Sequence, residues 1–248
     1  MSANNALQVS QGFLTAVGTQ MFRYYEDHIP RGGPVLVVSN HRSFMDAPIL
    51  MTTLERPIRF ACHHYMAQVP IMREIVTDLL GCFPLEAKGK RQQGFFEQAL
   101  SLLDTSQVVG IFPEGTKPMV TFTQPDHLGK FHRGFAHLAL RANTSSVVSS
   151  GQNLTILPIA IASLEEVNTS AVPLKLLSLF DPSEPLFNQS SWHPLVIYRR
   201  VAVLVGRPYW VSQHQQMEYQ GKQAKEIVAE LTHYCQDEIA QLLRQGFY

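Results

Sequence analysis

Three short stretches place reactive side chains directly after an apolar run. The first is Asn40-His41-Arg42-Ser43-Phe44-Met45-Asp46, which follows Val35–Val38. Histidine is a general base near neutral pH, and a carboxylate beside it can orient the ring and favour the imidazolium that proton abstraction creates. On one ideal helix Asp46 would lie roughly 140° around from His41, at about 3.6 residues per turn. The two can meet only if a turn precedes the helix, with Asn40 and Ser43 as candidate caps. Taken alone, His-x4-Asp is no more than a chance spacing. The second stretch is Phe112-Pro113-Glu114-Gly115-Thr116-Lys117, after Val108–Ile111. Pro113 ends the strand, Gly115 permits a tight turn with exposed backbone N–H groups, and Glu114 is presented at the sheet edge beside Thr116 and Lys117. A solvated surface turn is the plain alternative. The third is Leu157-Pro158-Ile159-Ala160-Ile161, where a proline within an apolar strand implies an edge, a bend or a bulge. An ordinary core strand is its alternative.

The elements that must hold these stretches follow from the hydrophobic pattern. Leu7–Tyr25 carries Phe13, Leu14, Val17, Met21, Phe22 and Tyr25 at helical spacing, with Arg23 its only basic residue. Packing against the body is favoured over membrane contact, since a surface-binding helix is usually more cationic. Strands are expected at Pro34–Ser39, Ile58–Cys62, Cys82–Leu85, Val108–Phe112, Thr155–Ile161 and Val196–Val205. Helices are expected at Ile71–Leu80, Gln92–Leu103, Gly134–Arg141 and Lys222–Arg244. Strands alternating with helices predict an α/β fold, a largely parallel central sheet flanked by helices in a single domain. Asn143–Asn153 reads as an exposed loop. Ser163–His193 reads as a long irregular segment, either a lid packed on the core or an apolar patch for membrane or acyl chain.

Together, the order and spacing of the three stretches resemble the glycerolipid acyltransferases, the family of the lysophosphatidate and glycerol-3-phosphate acyltransferases. Gly129-Lys130-Phe131-His132-Arg133-Gly134 resembles that family's Lys-x-Gly step into a helix. The resemblance spans about residues 30–210. It divides the chain into an N-terminal amphipathic helix at 1–29, an acyltransferase domain at 30–210 and a C-terminal helix at 211–248 packed on the domain. It implies transfer of a fatty acyl group from acyl-CoA or acyl carrier protein to the hydroxyl of a lysophospholipid or glycerol-phosphate-like acceptor. By likeness His41 is the general base and Asp46 its partner, both catalytic. Asn40, Phe112, Pro113, Glu114, Gly115, Thr116 and Lys117 would bind substrate, with backbone N–H groups near the turn available to a developing oxyanion. No bound cofactor is implied; the thioester is a co-substrate. The implied place of work is the cytoplasmic face of a membrane, held peripherally. One position departs from the pattern: in Gly81-Cys82-Phe83-Pro84-Leu85-Glu86-Ala87, alanine stands where the family has a phosphate-gripping arginine. Either Lys88, Lys90, Arg91 or Lys117 substitutes for its charge, or the acceptor is a lipid alcohol without phosphate there. A lapsed member that binds lipid without turnover is a further alternative.

Composition narrows the rest. The chain has 248 residues, 20 Lys+Arg against 20 Asp+Glu, and 16% charged residues. That balance speaks against a nucleic-acid binder, which carries a basic excess, and against an acidic disordered chain. Cys62, Cys82 and Cys235 form no CxxC pair or disulfide framework. No run of 18 apolar residues predicts a spanning helix. His63-His64 beside Cys62, and His127, His132 and His137 at intervals of five, match neither His-x3-His nor HExxH, so no metal is expected. An ester or thioester hydrolase is disfavoured, because there is no Gly-x-Ser-x-Gly elbow.

Overall fold

Every residue of Val35–Ser39 is buried, as expected of a strand covered on both faces. Leu36 and Val38 enter one apolar cluster, Val35 and Val37 a second, so this strand lies between two helical layers. In the computed structural model, the described residues are 4–62, 82–84, 91–115, 118, 121–142, 153–173 and 192–246. They form α1 (Asn4–Val17), β1 (Gln20–Tyr24), β2 (Val35–Ser39), α2 (Asp46–Leu54), β3 (Ile58–Cys62), β4 (Phe83–Pro84) and α3 (Arg91–Asp104). Then come β5 (Val108–Ile111), α4 (Gly134–Ala142), β6 (Thr155–Pro173), β7 (Trp192–Val205), β8 (Tyr209–Trp210), α5 (Gln213–Gln220) and α6 (Ala224–Gly246).

Among the described residues the eight strands make one sheet in the order β1-β7-β6-β2-β5-β3-β4, with β8 also on β6. Pairing is parallel throughout except where β6 meets β7 and β8. The expected α/β class with a largely parallel sheet is therefore observed. Helices α3, α4 and α6 cover one face; α1 and α2 cover the other.

The strands and helices of the middle of the chain match their expected spans to within a few residues. The N-terminal segment does not. The helix expected over Leu7–Tyr25 stops at Val17, because Gly18 takes a left-handed φ of 74° and its N–H closes on Thr15 O. Gln20–Tyr24 then joins the sheet edge in parallel with β7. Helical spacing misled here because Met21 and Phe22 also suit a half-exposed edge strand. Ala6 and Leu14 of α1 are buried, so this helix packs on the body.

A second difference concerns Ser163–His193. Its first part, to Pro173, is no loop: β6 continues beyond its pairing with β2 and forms a long antiparallel arm with β7. The arm's register breaks around Leu164–Glu166 and again after Ser170, which obscures the two-residue alternation in sequence. The apolar stretch Leu174–Phe187, the helix expected at Ile71–Leu80, and the loop residues before Asn153 lie outside the described residues.

Pro158 proves to be in a central strand, beside Val38 of β2. Its carbonyl accepts the Gly206 N–H at 2.8 Å. The proline nitrogen faces the same side, at the gap between β8, which ends its pairing at Ile156, and β7, which begins at Ile159. No N–H is needed there, so the proline costs no ladder bond.

The closing helix α6 buries Ile227, Leu231, Ile239 and Leu242 on one side, as the apolar spacing predicts. Ile239→Ala is expected to destabilise the fold by about 2–5 kcal/mol through lost burial and a cavity. Urea unfolding should show a lower midpoint with an unchanged slope.

Candidate active site

β2 ends at the carboxyl edge of the sheet, where open α/β sheets bind ligands. Asn40 is buried there, and its amide is wholly occupied: Nδ2 donates to Ile161 O at 2.9 Å and Oδ1 accepts the Ile161 N–H at 2.8 Å. The side chain prolongs the β2–β6 pairing by one step after the main chain has turned away. It thereby fixes where the next residue, His41, begins.

His41 Nδ1 lies 2.8 Å from Asp46 Oδ2. A carboxylate only accepts, so Nδ1 carries the hydrogen and Nε2 keeps a free lone pair. Asp46 is fully buried, and the same Oδ2 accepts the N–H groups of Arg42 and Ser43, each at 2.8 Å. The turn that the five-residue spacing required is present, and Asp46 is the first residue of α2. Ser43 Oγ accepts the Met45 N–H at 3.1 Å and donates to Val196 O at 2.6 Å. Of the two candidate caps, only Ser43 acts in the turn, since Asn40 is spent on β6.

The imidazole rests on an aromatic stack. Its ring lies 3.9 Å from that of Phe112 at an angle of 9°, and Phe112 lies 5.0 Å from Phe60 at 5°. Gly110 of β5 is the register partner of Phe60, and a Cβ there would stand 2.1 Å from the Phe60 ring. The bare backbone at Gly110 is what lets the stack lie flat.

Glu114 is buried and holds two separate segments. Oε1 accepts the His41 backbone N–H at 3.1 Å; Oε2 accepts the Gly129 N–H at 2.5 Å. Burial raises its carboxyl pKa, against the opposing pull of those two N–H groups. Gly115 adopts a φ of 72°, and its N–H closes the turn on Phe112 O. That amide is therefore not exposed, contrary to the sequence expectation. Pro113 O accepts the His132 N–H at 2.8 Å, which fastens the turn to the segment leading into α4.

The structure thus gathers Asn40, His41, Asp46, Phe112, Pro113, Glu114 and Gly115. Thr116, Lys117, Ala87, Lys88 and Lys90 lie outside the described residues; Arg91 opens α3, with its side chain likewise outside them. A cleft is lined by Phe122, Thr123, Gln124, Asp126, His127 and Leu128, in the segment just before Gly129. Among the described residues, no three His, Cys, Asp or Glu side chains converge as a metal site.

Two residues at the site escaped the sequence reading. Tyr198 of β7 is buried beside Asp46; burial, then the Asp46 charge, raise its pKa well above the usual phenol value, so it stays protonated. Arg42 is buried, with its guanidinium bonded to Glu166 and Thr123. The cue for Arg42 was its place inside the first motif; for Tyr198 a lone polar group in an apolar strand was too faint.

A family model described as Acyltransferase matches residues 22–162, more than half of the chain and all three stretches singled out above. The chain belongs to the Acyltransferase family. This is the glycerolipid acyltransferase relationship that the motif order implied. The acyltransferase is 27% identical over 120 residues to a 1-acyl-sn-glycerol-3-phosphate acyltransferase of Borreliella burgdorferi. That match covers 48% of this chain and 46% of the relative, so the chain spans about half the length of the protein it matches. In fold it is similar to the crystal structure of the 1-acyl-sn-glycerophosphate (LPA) acyltransferase PlsC from Thermotoga maritima. The TM-score is 0.59 at 14% identity, covering 97% of this chain and 77% of the other.

Two outcomes test the Glu114 clamp. In Gly129→Ala the new Cβ would lie 2.6 Å from Glu114 Oε2, so that bond breaks. A loss of about 1–3 kcal/mol is expected in a thermal melt. Folded Glu114 also holds its proton more tightly than the unfolded chain, whose value is near 4.5. Its contribution to stability is full below that pH and is lost as pH rises through the higher folded value. Glu114→Gln cannot titrate, so urea midpoints at stepped pH should fall less steeply above 4.5 than in the wild type.

Proposed function

We propose that the protein transfers a fatty acyl group from an acyl thioester to the hydroxyl of a lysophospholipid or glycerol-phosphate-like acceptor, of the 1-acylglycerol-3-phosphate type. The observation that carries this reading is the His41–Asp46 pair, with Nε2 unengaged by the carboxylate, inside a chain of the Acyltransferase family. His41 Nε2 takes the acceptor's hydroxyl proton as the oxygen attacks the thioester carbonyl. The new ester C–O bond forms, the C–S bond breaks, and the imidazolium returns its proton to the departing thiolate. Asp46 holds the ring in the tautomer this needs and stabilises the transient positive charge. No enzyme nucleophile is required, because a thioester is already activated.

Asn40 and Glu114 serve this scheme by holding His41: one fixes the end of β2, the other binds the His41 N–H. Phe112 supports the ring from beneath, while Pro113, Gly115, Thr116 and Lys117 shape the acceptor side. Acyl-CoA or acyl carrier protein enters as co-substrate, and no bound cofactor takes part. Lipid substrates place the enzyme at the cytoplasmic surface of a membrane; no helix among the described residues is long and apolar enough to cross one. The acceptor type is supported by the name of the Borreliella burgdorferi relative, a 1-acyl-sn-glycerol-3-phosphate acyltransferase. Ala87 favours a second reading, a lipid alcohol lacking that phosphate, unless Lys88, Lys90 or Arg91 supplies the charge.

Thiol release from acyl-CoA and from acyl carrier protein, with and without lysophosphatidate, separates these readings. Acceptor-dependent release is expected. His41→Ala should lower kcat by about 100- to 10,000-fold, the usual worth of a general base. Wild-type activity in that variant would sink the scheme. Release with no acylated product would indicate a hydrolase, and no release from any donor a lapsed enzyme.

A further inference from the structure

The side chain of Arg42 leaves the His41 turn for two segments remote in sequence. Its backbone N–H binds Asp46 Oδ2 at 2.8 Å, so its main chain is part of the turn. Its guanidinium makes a two-pronged contact with Glu166 at 2.9 and 3.1 Å. It also donates to Thr123 O at 2.6 Å and Thr123 Oγ1 at 3.2 Å. Four of its five N–H donors are thus committed to two other chain segments. Thr123 lies in the wall of the cleft beside the site. Glu166 lies on the β6–β7 arm, beyond residue 162 where the family match ends.

The arm is shaped for this contact. Pairing between β6 and β7 shifts between Ser163 and Glu165 and again between Glu165 and Glu166. Such bulges re-aim side chains, and here Leu164 and Glu165 are exposed while Glu166 turns inward to Arg42. The pair is nearly dry: the Arg42 side chain is 4% exposed and that of Glu166 10%. Burial opposes the charge of Glu166, yet the hydrogen bonds from Arg42 keep its carboxyl below the usual range. A planar fork meeting a carboxylate fixes direction as well as distance, which a single bond would not.

We propose that Arg42 and Glu166 form a latch that holds the 121–128 wall against the His41 turn. Glu166 is thereby a positioning residue for acceptor binding. This rests on the acyl-transfer reading for its kinetic consequence, though not for its structural one. Released from Arg42, Thr123 loses both of its bonds to the turn, and the cleft that Thr123 lines loses a fixed edge. The chemical groups themselves stay in place, because Asp46 is held by main-chain N–H groups.

The test uses Glu166→Gln and the double variant Arg42→Met/Glu166→Leu. The second removes both charges together, since deleting one partner of a buried pair leaves the other uncompensated and can unfold the protein. Amide hydrogen exchange is read on the full chain, alongside steady-state kinetics with lysophosphatidate. Exchange should quicken at least tenfold across 121–128 and stay unchanged in β2 and β5. KM for the acceptor should rise about tenfold, with kcat within threefold of the wild type. Unchanged exchange at 121–128 overturns the latch. Faster exchange with an unchanged KM in an active enzyme overturns the positioning role, as does a loss of activity that only tracks the unfolded fraction. A wild type inactive with every donor and acceptor instead overturns the acyl-transfer reading, and the exchange result still judges the latch.

Discussion

One buried carboxylate oxygen organises the turn between β2 and α2. Asp46 Oδ2 receives the His41 imidazole and the backbone N–H groups of Arg42 and Ser43 within 2.8 Å each. A charge without solvent is tolerable only with such partners. The requirement runs both ways. The carboxylate needs those donors, and His41, Arg42 and Ser43 are gathered around that single acceptor. The path of the chain from β2 to α2, and hence the placement of the imidazole, follows from satisfying one atom.

Around that atom the supports are of different physical kinds. Asn40 uses amide complementarity to continue a ladder, Glu114 spans two loops with one carboxylate, and Phe112 and Phe60 supply a flat apolar floor. Two glycines make the last two arrangements sterically feasible, Gly110 under Phe60 and Gly129 beside Glu114. Asn40, Asp46, Phe112 and Glu114 therefore act on His41 before they act on any substrate.

The legible part of this molecule was its middle. β2, β3, β5 and the helices α3, α4 and α6 were readable because both-face burial and helical spacing leave strong patterns. The His41–Asp46 contact was readable only conditionally, since five residues on a helix would have separated the pair and the turn had to be assumed. What stayed hidden depended on partners remote in sequence. β1 is a strand only because β7 lies beside it, and the β6–β7 arm is masked by register breaks. Arg42 gains meaning only when β6 brings Glu166 to it, and Tyr198 only when β7 carries it to Asp46. The sequence pattern puts Glu114 at the sheet edge, but its two backbone partners belong to loops that no local pattern connects.

The sheet order has a consequence for how the protein reaches this state. β2 sits between β5 and β6, so Val38 must find Ile111 on one side and Pro158 on the other. Both pairings are parallel and far apart in sequence, which makes loop closure an entropic cost met before any contact rewards it. The His41 turn is stabilised from both of those neighbours, by Ile161 of β6 beyond its pairing with β2 and by Glu114 past the end of β5. A chain still being synthesised can make β2 and α2 early, yet it has no settled imidazole until more than a hundred further residues have emerged. The His41 turn is thus completed late in folding, and chains that stop short of β6 lack the Asn40–Ile161 contact that fixes it.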